Sequence, residues 1–381
     1  MNFSSRKIKV LETIRQGQIG GGESHVLDLV SNLDKNGFEP IVLSFTHGPM
    51  VDRLNALGIK TYVVETLRPF NLTTLNAVKK IMKDEEIDIL HAHGTRALSN
   101  TIFAAKSLGI PVVYTVHGWS FHQDQKYPVR RIREFSEKFL TDKVDITISV
   151  SRSNQKDGIQ RFCMKRSKVV NYGIDLTRFN PERSMNDLKS ELEIEPGKTV
   201  VGYLVRMTTQ KDPFTLIKAI AEVAKKTNDI QFLFVGDGDL KDATVQLAND
   251  LGVSSFIKFH PFRTDVPEVL KTFDIYTLPS LWEGLPIGML EAMAMRKAVV
   301  ATPVDGSKEA IIDGVNGLLV PCQDHIALAE AILKLHNDKT FRNKLGAAAQ
   351  QTVHESFDLK MMVKHNEEIY HQLANIKSLA A

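Results

Sequence analysis

The stretch Pro279-Ser280-Leu281-Trp282-Glu283-Gly284-Leu285-Pro286-Ile287-Gly288-Met289-Leu290-Glu291-Ala292-Met293-Ala294 holds two carboxylates in a setting that suggests chemistry. The apolar, β-rich run Phe273–Leu278 precedes it, and Met289–Arg296, all good helix formers, closes it. The segment reads as strand, loop and helix, with Glu283 in the loop and Glu291 inside the helix. A helix start carries unpaired N–H groups and the positive end of the helix dipole, a natural seat for a phosphate. Glu291 lies roughly one turn past Gly288, so both carboxylates can reach a ligand held at the loop. Acids beside a phosphate are unfavourable unless they bind something else, and sugar hydroxyls are the obvious candidates.

Cations for such a phosphate stand in Arg206-Met207-Thr208-Thr209-Gln210-Lys211-Asp212, just past the apolar run Thr199–Leu204. On one loop, Arg206 and Lys211 can neutralise a diphosphate and the charge that develops on it as a bond breaks. Gly20-Gly21-Gly22-Glu23 opens the first helix, where glycine lets the backbone approach a phosphate closely. It is not a dinucleotide fingerprint, because Gly17-Gln18-Ile19-Gly20-Gly21-Gly22 fits Gly-x-Gly-x-x-Gly poorly, and no Gly-Lys-Ser/Thr follows to make a P-loop. His91-Ala92-His93-Gly94 and Thr115-Val116-His117-Gly118 each end a strand pattern. The imidazoles of His91 and His93 share a face of their strand, but no third ligand is evident, so hydrogen-bonded histidines are expected there rather than a metal site. Gly236-Asp237-Gly238-Asp239 follows a further strand, and Asp-x-Asp in that place is a divalent-metal pattern in another fold.

Glu-Gly-Leu-Pro-x4-Glu-Ala-Met-Ala, as it stands over residues 283–294, resembles the signature of the family 4 retaining glycosyltransferases. The resemblance covers nearly the whole chain and is strongest in its second half. It implies the GT-B architecture, two Rossmann-like doubly wound α/β domains facing across a cleft, with the last helix crossing back onto the first domain. It places Glu283, with Gly284, Leu285, Pro286 and Ile287, beside the donor sugar and Glu291 on the nucleotide ribose. Gly21 and Gly22 then face the donor pyrophosphate, and Glu23 and His93 lie toward the acceptor. His117 matches the family's Thr-x-His-Gly site, whose imidazole approaches the donor sugar. Arg206 and Lys211 match Gly-Arg-x4-Lys-Gly, from which the chain departs at Val205 and Asp212. Gly236 and Gly238 match a Gly-x-Gly turn near the nucleotide base, which favours metal-free chemistry with the two cations in a metal's place.

The catalytic set so implied is His117, Arg206, Lys211 and Glu283, with no cofactor and no metal. The reaction implied is a front-face displacement with retention, in which the leaving phosphate takes the acceptor proton. The donor is a nucleotide-sugar, a UDP-sugar foremost, carrying a hexose or N-acetylhexosamine. The acceptor is a hydroxyl of a glycan or lipid-linked molecule in bacterial cell-surface polysaccharide synthesis. Asn171-Tyr172-Gly173-Ile174-Asp175 resembles the family's Asn-Gly-Ile/Val-Asp turn, with Tyr172 where an Asn usually stands, and is read as a hinge without chemistry. Pro303–Glu309 resembles the Gly-Gly-x-x-Glu loop near the signature helix.

Elements to position these groups follow from periodicity. Over residues 1–175 the strand patterns Ile8–Ile14, Pro40–Phe45, Lys60–Val64, Ile87–His91, Val112–Val116 and Asp145–Val150 alternate with amphipathic stretches. The rhythm pauses over charged, proline-marked residues 181–197, the expected linker, and restarts at Thr199–Leu204. The expected domains are 1–180, on the acceptor side, and 198–357, on the nucleotide-sugar side, with a terminal helix over 358–381. Hydrophobic content of 43% and charged content of 24% are those of an ordinary globular protein. Two distant cysteines fit no metal or redox spacing and favour a reducing, cytoplasmic setting.

Residues 1–180 carry 26 Lys+Arg against 18 Asp+Glu, which suits an anionic surface or ligand. No signal-peptide core stands in Met1–Lys9, and no run is long enough to span a bilayer. Tyr127–Thr141 interleaves Arg130, Arg131, Arg133 and Lys138 with Val129, Ile132, Phe135 and Phe139. Such a helix suits peripheral contact with anionic lipid at the inner face of the membrane, but a domain helix with its apolar stripe packed inward is the preferred expectation. Nucleic acid is not an expected partner. Three other readings stand beside the transferase: a sugar-nucleotide epimerase, a silent sugar-nucleotide binder, and an NAD(P)-dependent oxidoreductase. The last needs an acid at the end of the second strand, which runs out at Phe45-Thr46-His47.

Overall fold

Short apolar runs of the chain become strands joined through helices, the crossover connection that parallel pairing needs. A computed structural model describes residues 6–17, 20–121 and 125–380, the last four by their backbone alone. Gln18 and Ile19 of the glycine-rich loop, and the first five residues of the polar N-terminal stretch, lie outside the described residues.

The first unit comprises Met1–Gly173 and Leu359–Ala381. Its strands are β1 Ile8–Ile14, β2 Phe38–Ser44, β3 Thr61–Val63, β4 Ile89–His93, β5 Val112–Val116, β6 Ile146–Ser149 and β7 Ser167–Val169. They form one parallel sheet in the order β3-β2-β1-β4-β5-β6-β7. The second unit, Ile174–Asp358, holds β8 Thr199–Leu204, β9 Ile230–Val235, β10 Ile257–His260, β11 Ile275–Leu278, β12 Ala298–Ala301 and β13 Leu318–Leu319. Its parallel order is β10-β9-β8-β11-β12-β13. Both units are Rossmann-like, the two α/β domains that a GT-B chain contains. In each, strand order reverses once, between β1 and β4 and between β8 and β11. A crevice opens outside the carboxyl ends of strands at such a point, and the chemistry-bearing loops follow these four strands and their neighbours β5, β9 and β12.

Strands covered on both faces are buried along their whole length, as β4, β5 and β9 are. One face of the first sheet is closed by the helix Leu359–Ala380, whose Leu359, Met362, Val363, Ile369, Tyr370 and Leu373 pack on Val10, Ile89, Val113 and Ile148. The chain leaves the first unit at Gly173, ahead of the expected linker. Residues 181–197 instead lie on the second unit, with Leu188 and Leu192 buried and the Glu193 carbonyl accepting from Gln231 Nε2 at 2.8 Å. Their charge and prolines mark irregular backbone, and two leucines suffice to anchor it. Short elements such as β7 and the helices Pro49–Ala56 and Ser307–Ala310 escaped the periodicity reading.

The helix Tyr127–Lys143 reverses the preferred expectation. The apolar residues of its first half point outward: Ile132 is 69% and Phe135 72% exposed, with Tyr127 and Val129 exposed beside them, while Phe139 and Leu140 pack on the core. Glu134 and Glu137 point inward. Glu137 is fully buried and accepts from Thr95 Oγ1 at 2.6 Å, Ser120 Oγ at 2.6 Å and Tyr114 Oη at 3.0 Å. Three hydroxyl donors make that site better for a carboxyl group than for an alkyl side chain.

Tyr370 ties the last helix to the first sheet through its hydroxyl as well as its ring, donating to Glu12 Oε1 at 2.7 Å and lying 2.6 Å from His91 Nδ1. Tyr370→Phe should therefore destabilise the first unit by about 1–3 kcal/mol, the cost of leaving buried polar atoms unpaired. Urea unfolding read from Trp119 in a Trp282→Phe background measures it; an unchanged midpoint contradicts the assignment.

Candidate active site

The second unit's site grows from the β8–β11 switch point. The loop after β8 is held by Tyr203, whose hydroxyl donates to the Lys211 carbonyl at 2.8 Å. Asp212, where the resembled pattern has glycine, sits at φ +47° in the left-handed region, which Asp enters more readily than most residues. Its carboxylate also caps the helix Pro213–Ala224, accepting from Thr215 N at 3.2 Å and Thr215 Oγ1 at 2.6 Å. The departure from glycine thus keeps the turn and adds a cap. Lys211 Nζ forms an ion pair with Glu283 Oε1, although the two residues are 72 positions apart.

Glu283 is buried and further held by Ser280 Oγ at 2.6 Å and Gln210 Nε2 at 3.2 Å. Its backbone N–H donates to Asp305 Oδ2 at 3.0 Å, and Gly306 N donates to Gly284 O at 3.1 Å. A Cβ on Gly306 would lie 2.3 Å from that carbonyl, so only glycine lets the two loops meet. The Pro303–Glu309 loop, a resemblance without an assigned task, is thus the floor of the Glu283 loop. Beyond Pro286 the helix Ile287–Ala294 begins without a side-chain cap, so its first N–H groups remain open. Glu291 lies half-buried in that helix and raises the pKa of Tyr276, as burial does more strongly. Arg206 is exposed and, among the described residues, makes no ion pair.

Gly236 and Gly238 pack on the same loop. A Cβ on either would stand 2.0 Å from Val205 O or 2.1 Å from Met207 O, and Met207 N donates to Asp237 O at 2.8 Å. Both oxygens of Asp237 are engaged, one with Lys241 Nζ at 2.6 Å and one with Phe262 N at 3.0 Å. The Asp-x-Asp pattern is therefore a turn brace. The loops after β8, β9, β11 and β12 thus gather Arg206, Lys211, Gly236, Gly238, Glu283 to Ile287, and Glu291 in one unit.

The first unit's groups lie at the β1–β4 switch point. The helix Gly21–Asn32 also starts without a side-chain cap, and Gly22 packs against the His117 ring. Glu23 is buried in its first turn, its pKa raised by burial and restrained by Arg15, whose Nε is 3.9 Å away. His93 is only 1% exposed and lies behind His117 rather than open to an acceptor. Its Nδ1 is 3.0 Å from His117 Nε2, and its Nε2 is 2.7 Å from Glu12 Oε2.

Glu12 is the group that sequence spacing could not bring to His91 and His93. It sits on β1, opposite His91 in the parallel register, and is fully buried. The ligand atoms of the three residues lie within 4.8 Å of one another, so the third neighbour that a metal would need does exist. Each of these atoms is engaged in protein hydrogen bonds: His91 Nδ1 with Tyr370 Oη at 2.6 Å, His91 Nε2 with Thr115 Oγ1 at 2.7 Å, and Glu12 with His93 and Tyr370. The trio reads as a closed network rather than a vacant ligand set. Burial is the largest influence on Glu12, but its imidazole neighbours outweigh it and hold the carboxyl well below the usual range. Burial pushes His93 down to about 4, and His25 and His117 below their ordinary value.

Comparisons with known proteins point to the same two-domain fold. Residues 19–178 match the family described as Glycosyltransferase Family 4, and residues 184–352 match Glycosyl transferases group 1. The UDP-Gal:alpha-D-GlcNAc-diphosphoundecaprenol alpha-1,3-galactosyltransferase of Escherichia coli is 25% identical, covering 97% of this chain and 98% of its own. The N-acetyl-alpha-D-glucosaminyl L-malate synthase of Bacillus anthracis is also 25% identical, over 83% of this chain and 82% of its own. Among solved structures, Anabaena Alr3699/HepE in complex with UDP and glucose superposes with a TM-score of 0.86 at 24% identity, covering 96% of this chain and all of the other. None of these relatives supports the epimerase or the oxidoreductase.

The neutral histidines set an acid limit. A histidine with a depressed folded pKa stabilises the fold fully above its unfolded value, near 6.5, and loses that contribution as pH falls toward the folded value. Glu12 acts in the same direction lower down, being ionised in the fold and losing its contribution as pH falls below the ordinary carboxyl range. The urea midpoint of the first unit, read from Trp119 in the Trp282→Phe background, should fall steadily from pH 7 to pH 4.5. A flat profile contradicts the neutral cluster.

Proposed function

We propose that this chain, a GT-B glycosyltransferase related to the family 4 and group 1 enzymes of bacterial polysaccharide and glycolipid synthesis, moves a hexose or N-acetylhexosamine from UDP to a hydroxyl of a glycan or lipid-linked acceptor with retention. The observation that carries the reading is the pairing of Lys211 with Glu283 beside the uncapped start of Ile287–Ala294. It joins a cation, a carboxylate and open amides at one point, the set needed for a sugar joined to a diphosphate. UDP as the carrier is supported by the Escherichia coli relative's donor and by the UDP bound to the Anabaena protein.

In this mechanism Arg206 and Lys211 hold the diphosphate with the amides of the helix start, and Glu291 accepts from the ribose hydroxyls. Gly236 and Gly238 keep the turn near the base close to the Arg206 loop. Glu283, freed from part of its contact with Lys211 when phosphate arrives, accepts from the sugar hydroxyls, with Gly284 to Ile287 lining the same edge. Gly21 and Gly22, which lack side chains, suit the close approach of a phosphate to their backbone, and Glu23 suits an acceptor hydroxyl. As the glycosidic bond breaks, negative charge grows on the diphosphate and positive charge on the sugar ring. The cations stabilise the first, and the neutral, electron-rich face of His117 the second. The acceptor oxygen enters on the face the diphosphate leaves, and its proton passes to the departing phosphate oxygen. No metal enters this scheme.

A membrane surface is the place where a lipid-linked acceptor is met. Among the described residues no helix is long and apolar enough to cross a membrane. The outward Tyr127, Val129, Ile132 and Phe135 supply an apolar face, continued by Phe70 and Phe103, whose rings lie 6.4 and 6.3 Å from that of Phe139. Five cations against three acids on the same helix suit anionic headgroups.

With EDTA present, UDP should raise the melting temperature of the protein, since a ligand that binds only the folded state stabilises it; a shift with NAD or NADP alone would overturn the transferase. Lys211→Ala should lower kcat by about 100-fold or more, and Glu283→Gln should also cut transfer, measured with UDP-sugars; full activity in either removes that residue from the site. Wild-type protein should sediment with phosphatidylglycerol vesicles but not with phosphatidylcholine vesicles, and Ile132→Glu with Phe135→Glu should abolish it. Failure of the wild type to sediment ends the membrane reading.

A further inference from the structure

Tyr172 replaces the residue usual in the hinge turn it resembles, and the structure gives it a task. Its hydroxyl lies 2.6 Å from His117 Nδ1, and the two rings stack with centroids 5.6 Å apart. From there a chain of hydrogen bonds runs inward through His117 and His93 to Glu12. The far end fixes its direction. Glu12 is a carboxylate and can only accept, so His93 carries its proton on Nε2. A neutral His93 then has a bare Nδ1, which must accept from His117 Nε2–H. A neutral His117 in turn has a bare Nδ1, to which Tyr172 O–H donates. Every proton in the chain points toward Glu12.

The second oxygen of Glu12 closes the pattern from the other side, where Thr115 donates to His91 Nε2, His91 Nδ1–H to Tyr370, and Tyr370 to Glu12 Oε1. His25 packs against His93, His117 and Tyr172 at 5.1–5.5 Å, and among the described residues its buried Nδ1 has no hydrogen-bond partner. Buried and held below its ordinary pKa, it adds no competing charge. Both oxygens of Glu12 are held by this group of side chains, and hydrogen bonds aligned toward one charge reinforce one another.

We propose that Glu12, His93 and Tyr172 are positioning residues that hold His117 in a single tautomer, with its proton on Nε2 and its Nδ1 presented as an acceptor. The Tyr172 hydroxyl marks the place of a donor at Nδ1, so what His117 offers there is a lone pair that accepts a hydrogen bond from a hydroxyl, and no proton is transferred to it. The pull of Glu12 through two imidazoles makes that acceptor richer in electrons than a free histidine. This rests on the reading that His117 faces the donor sugar, and the test separates the two claims.

The full-length protein labelled with 15N-histidine gives the protonation of each ring nitrogen by long-range 1H–15N correlation. The His117 signals, assigned with His117→Gln, should show a bare Nδ1 and a protonated Nε2 at pH 7.5. Tyr172→Phe should move the Nδ1 signal toward that of an unbonded nitrogen, and Glu12→Gln should mix the tautomers, with Glu12→Asp restoring most of the wild-type pattern. A protonated Nδ1 in the wild type, or His117 signals unmoved by Tyr172→Phe, overturns the proposal. Should Glu12→Gln fail to fold, Tyr172→Phe, which keeps its ring, decides alone. In parallel, kcat with a UDP-sugar should fall about 10-fold in Tyr172→Phe with KM within twofold, roughly the worth of one hydrogen bond. The expected spectra with an unchanged kcat uphold the tautomer lock and remove His117 from the reaction.

Discussion

A full negative charge enclosed in protein is tolerable only where donors meet its lone pairs. Glu12 imposes that condition on the first unit. It draws His93 and His91 from β4 and Tyr370 from the last helix, and Thr115 of β5 joins through His91. One carboxylate therefore fixes which way two imidazoles face, where the closing helix docks and which nitrogen of His117 carries a proton. The apolar contacts of Val10, Ile89 and Val113 with that helix supply most of the driving force, but they would tolerate small shifts along the helix that the Tyr370 hydroxyl does not.

On the proposed reading the second unit solves a different problem, holding groups of opposite charge ready for a ligand that carries both phosphate and hydroxyls. Lys211 and Glu283 neutralise each other while the site waits, with Ser280, Gln210 and Asp305 setting the carboxylate and its loop from behind. Such preorganisation matters because donors fixed in advance need no rearrangement when charge develops. Arg206, exposed and without an ion pair among the described residues, is the cation most free to follow the substrate.

Much of this was legible in the sequence because it is local. Strand patterns such as Ile8–Ile14, Val112–Val116 and Ile230–Val235 depend on runs of apolar residues, and the structure places strands over the same residues. The Glu283–Glu291 segment carries its own loop and helix signals. What stayed hidden was set by contacts between distant residues. Nothing near Glu12 distinguishes it from a surface acid, and its partner Tyr370 is 358 positions away. Asp305 and Tyr172 had positions in resembled loops but no visible work, since their partners Glu283 and His117 lie on other segments. The helix Tyr127–Lys143 misled for a related reason. Its apolar stripe was plain, but which face a helix turns inward depends on what waits there, and three hydroxyls wait for Glu137.

The first unit is built from both flanks of the second, and this bears on how the protein is made. Sheet strands β1 to β7 leave the ribosome long before the helix that covers one of their faces. At translation rates of roughly 5–20 residues per second, the 358 positions between Glu12 and Tyr370 take about 20–70 s to synthesise. For that time Val10, Ile89 and Val113 lack their cover and Glu12 lacks one of its donors. The second unit, contiguous from Ile174 to Asp358, can complete itself within that interval. The half that is translated first is thus the half that finishes last, and an uncovered parallel sheet is the nascent chain's period of greatest exposure to aggregation and to chaperones.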